Sequence, residues 1–110
     1  MRLSFIYAPT TDLAAAIAFY RDVLGLDETW REGDHTVAFA LPDSEVQVMV
    51  SVDTDPAGPM YLVDSVEAYL AANPALAEAA AVQDIPDGKV ARLADPAGNA
   101  FYVLDQSTAA

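Results

Sequence analysis

The chain has 110 residues, 54% of them hydrophobic, and its 17 acidic and 5 basic side chains give a net charge of −12. A chain of this length forms one compact domain that buries roughly 60 to 70% of its unfolded surface, and the hydrophobic content argues against disorder. The sequence contains no cysteine, which excludes disulfides and thiolate metal sites and fits a reducing compartment.

The charge balance excludes nucleic acid as a partner and disfavours anionic membrane surfaces, because both require clustered Lys and Arg. No apolar run approaches the roughly 20 residues of a membrane span, and no signal peptide opens the sequence. We therefore expect a soluble, cytoplasmic protein. The acidic residues are scattered along the chain, so most of them are interpreted as solvated surface. The alternative is that they steer a cationic ligand towards the protein.

The first half of the chain has the pattern of a strand, a helix and three strands. Apolar side chains alternate over residues 1–8, and Asp12 or Thr11 can cap a helix that ends at Gly25. The apolar stripe of this helix consists of Leu13, Ala16, Ile17, Tyr20 and Leu24. The next strands are predicted over residues 26–31, 35–41 and 45–51.

The second half repeats this order after a Pro-, Gly- and Asp-rich linker. A strand over residues 60–63 precedes a helix capped by Asp64 or Ser65, and the Asn73–Pro74 step interrupts that helix. An Ala-rich segment over residues 75–81 is predicted to continue as a second helical piece. The remaining strands are predicted over residues 82–85, 89–93 and 100–104.

The two halves together predict the fold class. A four-stranded sheet with one helix cannot bury both of its faces, so the two copies should pair. We predict an α+β fold of two paired βαβββ modules that form a curled, mostly antiparallel eight-stranded sheet around a cavity. This single domain would comprise module one at about residues 1–52, a linker at 53–58 and module two at about 59–106. Homodimerisation is expected, because it would cover the remaining sheet edges.

Two sequence motifs resemble the vicinal oxygen chelate superfamily, which includes glyoxalase I, bleomycin-resistance proteins, fosfomycin-resistance enzymes and extradiol dioxygenases. The motifs are Phe19-Tyr-Arg-Asp-Val-Leu-Gly-Leu26 and Asp95-Pro-Ala-Gly-Asn99. The resemblance covers essentially the whole chain. It implies a concave sheet that cradles a small ligand and, in the metal-dependent members, a divalent metal held by strand side chains.

The metal-ligand positions that the resemblance implies fall on Phe5, Gln47, Tyr102 and the neighbourhood of Gly58. The side chains of Phe and Gly cannot ligate a metal, and Gln and Tyr are weak partners for a hard divalent ion. The sequence also has only one His, so no site of several histidines can form. We therefore expect no metal and no other cofactor.

The same positions predict an apolar pocket with a few polar groups for an organic ligand. The predicted ligand-binding residues are Phe5, Tyr7, Trp30, Gln47, Met49, Met60 and Tyr102. Ordinary core packing is the alternative for each of them. Trp30 either lines the mouth of the pocket or is buried at a dimer seam. His35 is either a general base or an exposed residue at a strand end, and we assign no catalytic residue.

The sequence thus predicts a metal-independent protein that binds a small organic molecule and sequesters an antibiotic or a metabolite, as bleomycin-resistance proteins do. The alternative is a metal-dependent, glyoxalase-like lyase, isomerase or dioxygenase. In that case Glu45, His35 or a carboxylate near the linker would supply ligands. A serine hydrolase and a nucleotide-binding protein are excluded, because the sequence has neither a nucleophile elbow nor a glycine-rich phosphate loop.

Overall fold

The computed structural model describes residues 1–108. Within them the chain forms eight strands, three short α-helices and one π-helical segment. The strands are β1 (Arg2–Thr10), β2 (Asp27–Glu32), β3 (Thr36–Ala40), β4 (Gln47–Val52), β5 (Gly58–Leu62), β6 (Ala81–Ile85), β7 (Gly88–Ala94) and β8 (Ala100–Leu104). The helices are α1 (Leu13–Ile17), α2 (Val66–Ala72) and α3 (Pro74–Ala77), and the π-helical segment is Ala18–Val23.

The chain divides into two compact units. The N-terminal unit is Ser4–Ala57, and the C-terminal unit consists of Met1–Leu3 and, among the described residues, 58–108. The N-terminal sheet has the order β2-β3-β4-β1, in which only the β1–β4 pair is parallel. The C-terminal sheet has the order β5-β8-β7-β6, in which only the β5–β8 pair is parallel. The predicted α+β class with two βαβββ modules is confirmed.

The first helix begins where the sequence predicts. The Asp12 carboxylate accepts a hydrogen bond from the Ala15 backbone N–H at 3.0 Å, which satisfies a donor of the first turn. Beyond Ile17 the backbone is π-helical rather than α-helical, and Gly25 follows with φ of 71°. The predicted apolar stripe of this helix is therefore wrong at its last residue, because Leu24 is not buried but 51% exposed.

The second helix is capped by Ser65, whose hydroxyl accepts from the Ala68 N–H at 3.1 Å. The Asn73–Pro74 step separates α2 from α3, as predicted. The Ala-rich helical piece is shorter than predicted, however, because Ala81 already belongs to β6, where it pairs with Arg92.

Each unit packs its helices against one face of its own sheet. In the N-terminal unit Ile17 packs with alternating residues of β3 and β4, namely Val37, Phe39, Val48 and Val50. In the C-terminal unit the buried cluster comprises Val66, Ala91, Leu93 and Val103. The other face of each sheet carries the residues that the sequence proposes for a ligand. No helix within residues 1–108 has the length and apolar character needed to cross a bilayer.

Candidate functional site

Five predicted binding residues share one face of the N-terminal sheet. The strand register pairs Phe5 with Gln47, Tyr7 with Met49, and Trp30 with Ala38, which is itself the partner of Met49. Because side chains alternate along a strand, these residues lie opposite the helix-packed core. We call this the helix-free face and define it by Phe5, Tyr7, Trp30, Gln47 and Met49.

One end of the helix-free face is aromatic. The rings of Phe5 and Trp30 meet edge to face, with centroids 6.2 Å apart and an interplanar angle of 89°. Both side chains are half-buried, as are those of Gln47 and Met49. Aromatic and apolar groups of this kind are typical of organic-ligand sites, where they supply contact area.

The Gln47 amide is oriented by a neighbour on β2. Its Oε1 accepts a hydrogen bond from the Thr29 hydroxyl, which also lies 3.2 Å from the carbonyl oxygen of Ala38. Thr29 lies at an irregularity in the β2–β3 pairing, between Glu28 and Trp30. The structure records no hydrogen bond from the Gln47 amide NH₂ to the described residues, so this group is a candidate donor to a ligand.

The other end of the helix-free face carries a polar network. Tyr7 donates its phenolic O–H to Oδ2 of Asp53 at 2.8 Å, and the same oxygen lies 4.0 Å from Nε2 of His35. Nδ1 of His35 is 2.7 Å from the Thr36 hydroxyl, which is 2.8 Å from that of Ser51. The network therefore connects a phenol, a carboxylate, an imidazole and two hydroxyls.

Burial divides this network into an accessible part and an anchored part. The side chains of His35 and Asp53 are 56% and 36% exposed. Tyr7, Thr36 and Ser51 are at most 5% exposed. The imidazole and the carboxylate are thus accessible, whereas their hydrogen-bond partners are fixed inside the protein.

Sequence reasoning missed four residues of this site: Thr29, Thr36, Ser51 and Asp53. Thr36 and Ser51 had a detectable signal, because they are polar residues at inward positions of two apolar strands. The linker carboxylates were considered only as metal ligands in the alternative interpretation, and nothing in the sequence joins Asp53 to Tyr7, which is 46 residues away. His35 lies directly before β3 and its side chain is more than half exposed, so the strand-end interpretation describes its position but not its contacts.

The two remaining predicted residues lie in the C-terminal unit. Met60 pairs with Tyr102 across β5 and β8, and both are buried, at 6% and 5% exposure. Val103, which follows Tyr102 along β8, and its β7 partner Ala91 belong to the helix-packed core. By strand alternation Met60 and Tyr102 therefore face away from that core.

The positions expected to hold a metal in related proteins do not fit a metal ion. The Phe5 ring packs against Trp30, and Oε1 of Gln47 already accepts a hydrogen bond from the Thr29 hydroxyl. Gly58 has no side chain, and a Cβ atom there would collide with the carbonyl oxygen of Ala100. Within residues 1–108 no three His, Asp or Glu side chains come together as a metal-binding group.

A separate cleft of about 800 Å³ opens in the C-terminal unit. Its lining residues are Met1, Arg2, Leu62, Val63, Asp64, Ser65, Ala68, Tyr69, Gln106 and Ser107. It contains none of the predicted binding residues, and the polar network lies in the other unit. We therefore place the candidate site on the helix-free face, which has the aromatic pair and the Gln47 amide at one end and the polar network at the other.

The chain matches the sequence model of the Glyoxalase/Bleomycin resistance protein/Dioxygenase superfamily over residues 2–103. No curated protein matches it.

Solved structures share the fold at low sequence identity. A glyoxalase/bleomycin resistance protein/dioxygenase superfamily member from Vibrio splendidus is 19% identical, with a TM-score of 0.68 over 94% of this chain and 97% of its own. Methylmalonyl-CoA epimerase from Mycobacterium tuberculosis is 16% identical, with a TM-score of 0.62 over 94% and 87%. Homoprotocatechuate 2,3-dioxygenase from Brevibacterium fuscum is 20% identical, with a TM-score of 0.66 over 98% of this chain but only 37% of its own.

Proposed function

The chain belongs to the glyoxalase/bleomycin resistance protein/dioxygenase superfamily, and we propose that, as a member of it, this protein binds a small organic molecule without a metal ion. The ligand is held on the helix-free face and is sequestered rather than transformed. An antibiotic or a metabolite is the class of molecule concerned.

The proposal rests on the positions that are expected to hold a metal ion in related proteins. In this chain their side chains pack against neighbours or form hydrogen bonds, and they are not suited to ligate a metal. Phe5 stands edge to face with Trp30, and Gln47 is held by Thr29. An aromatic pair and an oriented amide recognise a planar organic group with a hydrogen-bond acceptor, whereas they are poor ligands for a hard divalent ion.

Charge adds a preference for the type of ligand. The net charge of −12 raises the local concentration of cations around the protein. Asp53 contributes a partly exposed carboxylate at the polar end of the helix-free face. A planar aromatic molecule with a positive charge therefore suits the site best.

The proposal is tested on protein purified without a chelator. Native mass spectrometry would report a co-purifying organic molecule, and the same spectrum would show whether the chain is the homodimer expected from its sheet edges. Elemental analysis should find no stoichiometric metal. A transition metal retained through dialysis would contradict the proposal.

Binding is measured by titration with proflavine, a planar cationic dye, and with the anionic dye 1-anilinonaphthalene-8-sulfonate as a comparison. Proflavine should bind more tightly, and Phe5→Ala should weaken its binding by about tenfold, a loss of about 1.4 kcal/mol. Phe19→Ala is the matched control, since Phe19 is 48% exposed on the π-helical segment and lies away from this face. Equal loss in both variants would refute binding at the helix-free face.

A metal-dependent enzyme is the second candidate, and one observation favours it. Nε2 of His35 and Oδ2 of Asp53 lie 4.0 Å apart and are both partly exposed, so they could share a metal ion. Catalytic metal sites usually have at least three protein ligands, which ranks this candidate second. Lyase, isomerase or dioxygenase activity that appears on adding Ni²⁺, Mn²⁺ or Fe²⁺ to the metal-free protein would establish it.

A further inference from the structure

We propose that Oδ1 of Asp53 accepts a hydrogen bond from a cationic N–H group of the ligand, with Tyr7 as its positioning residue. The protein then selects ammonium, amidinium or guanidinium groups over cations that have no N–H. This inference rests on the proposed function, because the same ligand occupies the helix-free face. It adds the atom that recognises the charge and the part of the ligand that bears it.

The Asp53 carboxylate is held by a buried group. Tyr7 is 5% exposed, and its phenolic O–H donates to Oδ2 of Asp53 at 2.8 Å. The direction of this hydrogen bond is determined, because an ionised carboxylate only accepts. Asp53 lies in the loop after β4, and no other described residue donates a hydrogen bond to its side chain. The phenol is therefore the group that orients this carboxylate.

The other oxygen of the carboxylate is available. Oδ1 of Asp53 has no hydrogen-bond partner among residues 1–108, and the side chain is 36% exposed. Nε2 of His35 approaches Oδ2, at 4.0 Å, which is too long for a hydrogen bond. A ligand N–H can therefore reach Oδ1 without displacing a hydrogen bond within the protein.

Asp53 also has no strongly basic partner. The ion pairs of Arg and Lys side chains in the described part of the chain are formed with other carboxylates. Asp43 is exposed and makes no side-chain hydrogen bond to a described residue, so it is an ordinary solvated carboxylate. Asp53 differs from it in being oriented by a buried phenol while its charge is not neutralised by Lys or Arg.

The recognised cation must have an N–H group. An N–H cation donates directly to Oδ1, and such charge-assisted hydrogen bonds are roughly twice as strong as neutral ones. A quaternary ammonium donates no hydrogen bond and attracts the carboxylate only through space. That attraction is weak at a partly exposed site, because water screens it. The two kinds of cation are therefore distinguished by Oδ1, although their charge is the same.

The position of Asp53 determines where the cation lies on the ligand. On β1, Tyr7 lies two residues beyond Phe5, which is about 7 Å at 3.3 Å per residue. Asp53 comes directly after Val52, the partner of Thr10 at the end of β1. The carboxylate is thus farther than Tyr7 from the aromatic end. The ligand class is an aromatic molecule with an N–H cation on a side arm, at least about 7 Å from its ring.

The selectivity is tested with three fluorescent probes that differ only at one end. Dansylcadaverine has a naphthalene ring and a primary ammonium on a five-carbon arm. Its N-trimethyl analogue keeps the charge without N–H, and its N-acetyl analogue is neutral. The titrations contain EDTA to remove metal ions and about 150 mM NaCl to screen long-range attraction. The parent should bind the ammonium probe at least about tenfold more tightly than either analogue.

Asp53→Asn should remove this preference, because the amide has no charge to form the charge-assisted hydrogen bond. The variant should bind the three probes with similar affinity. Asp43→Asn is the matched control, since it removes the same charge from the same unit. Asp43 precedes β4 whereas Asp53 follows it, and Asn tolerates the φ of 58° at this position. Asp43→Asn should keep the selectivity of the parent.

Tyr7→Phe tests the positioning role, because it removes the hydroxyl and keeps the ring. The ratio of the affinities for the ammonium and trimethylammonium probes should fall several-fold, since Oδ1 is no longer oriented. A merely structural effect would weaken both probes equally and leave the ratio unchanged. Circular dichroism would establish that each variant is folded.

The outcomes separate this inference from the proposed function. Equal affinity of the parent for the three probes, or no binding of the ammonium probe, overturns the inference whatever the variants do. Unchanged selectivity in Asp53→Asn overturns it as well. The proposed function is contradicted instead by proflavine binding that is insensitive to Phe5→Ala. A preference for the ammonium probe that is lost in Asp53→Asn would still support the role of Asp53 in that case.

Discussion

At the scale of single residues, Asp105 has the most hydrogen-bond partners among the buried polar groups described. It is 1% exposed, and its carboxylate accepts from the backbone N–H groups of Val66 and Lys89 at 2.7 and 2.9 Å. The backbone N–H and hydroxyl of Ser107 add two more hydrogen bonds. Asp105 thereby joins the start of α2, the start of β7 and the chain after β8.

These contacts determine the ionisation of Asp105. Burial alone would raise its pKa, but the hydrogen bonds from Val66, Lys89 and Ser107 outweigh burial and hold the pKa below its ordinary value. Because the folded-state pKa is lower than the unfolded one, the carboxylate contributes stability above the unfolded pKa of about 4. That contribution is lost as the pH falls through the folded-state pKa.

Asp105→Asn should therefore destabilise the protein at pH 7 by about 3 kcal/mol. The amide has one acceptor oxygen instead of two, and its NH₂ group would face a backbone donor. Urea unfolding at pH 7 and below pH 4 would measure the effect, and the gap between variant and parent should narrow at the lower pH. Glu78→Gln, at an exposed position, is the control. A gap that stays constant with pH would show that the charge of Asp105 is not what stabilises the fold.

Individual residues also show where sequence reasoning stops. Alternation was sufficient to group Phe5 with Tyr7 on β1 and Gln47 with Met49 on β4, because strand geometry fixes which side chains share a face. That the two pairs belong to one face was implied only by the family resemblance. The hydrogen bond from Tyr7 to Asp53 could not be derived in the same way. It depends on the path of the loop after β4, which no local pattern specifies.

At the scale of elements, the final turn was predictable because all its contacts are local. Oδ1 of Asp95 accepts from the backbone N–H groups of Ala97 and Asn99, each at 2.9 Å, and Gly98 has φ of 87°. The Asn99 side chain also donates to Asp95 and is the main cause that lowers the pKa of this carboxyl. Five consecutive residues thus contain the whole structure of the turn.

The first helix was predicted less well, since its hydrogen-bond pattern changes midway. From Ala18 to Val23 the helix is π-helical, and Leu24 donates its N–H to the carbonyl of Phe19, five residues earlier. The prediction of an apolar helix face from sequence spacing assumes 3.6 residues per turn along the whole helix. The wider turn keeps Tyr20 stacked on Phe39, with ring centroids 5.5 Å apart, but it leaves Leu24 in solvent.

This difference gives a prediction that distinguishes the two helix geometries. Ile17→Ala should cost about 2–4 kcal/mol, because Ile17 is 9% exposed and packs in the N-terminal core. Leu24→Ala should cost less than about 1 kcal/mol, although a regular α-helix would place Leu24 on the same stripe. Urea unfolding of both variants measures the two costs. A similar loss of unfolding free energy in both variants would contradict the π-helical geometry of this segment.

At the scale of the whole molecule, the repeated order of strands and helices is sufficient to predict the fold class. Both copies show a strand, a helical stretch and three strands, and each step has its own turn or cap residues. The candidate site was only partly predictable from that order. Phe5 at its aromatic end was predicted, but the place of Trp30 was left open, and the polar end depends on Asp53, which lies in a loop.

The charge of the molecule gives the last prediction. With 17 acidic and 5 basic side chains, the folded chain concentrates a net charge of −12, and this self-repulsion destabilises the compact state. Salt reduces the repulsion, since the screening length falls to about 8 Å at physiological ionic strength. Raising NaCl from about 20 to about 200 mM should therefore increase the thermal unfolding midpoint by a few degrees.

A charge-reduced variant provides the comparison for this experiment. Replacing the exposed carboxylates of Asp43, Glu45, Glu78 and Asp87 by the corresponding amides lowers the negative charge by four, from −12 to −8. The variant should have a higher midpoint than the parent at low salt and a smaller response to NaCl. The opposite outcome is a parent midpoint that falls as NaCl is raised. It would mean that the screened attraction in ion pairs such as Arg31–Glu28 and Lys89–Asp84, at 2.6 and 2.8 Å, stabilises the fold more than the net repulsion destabilises it.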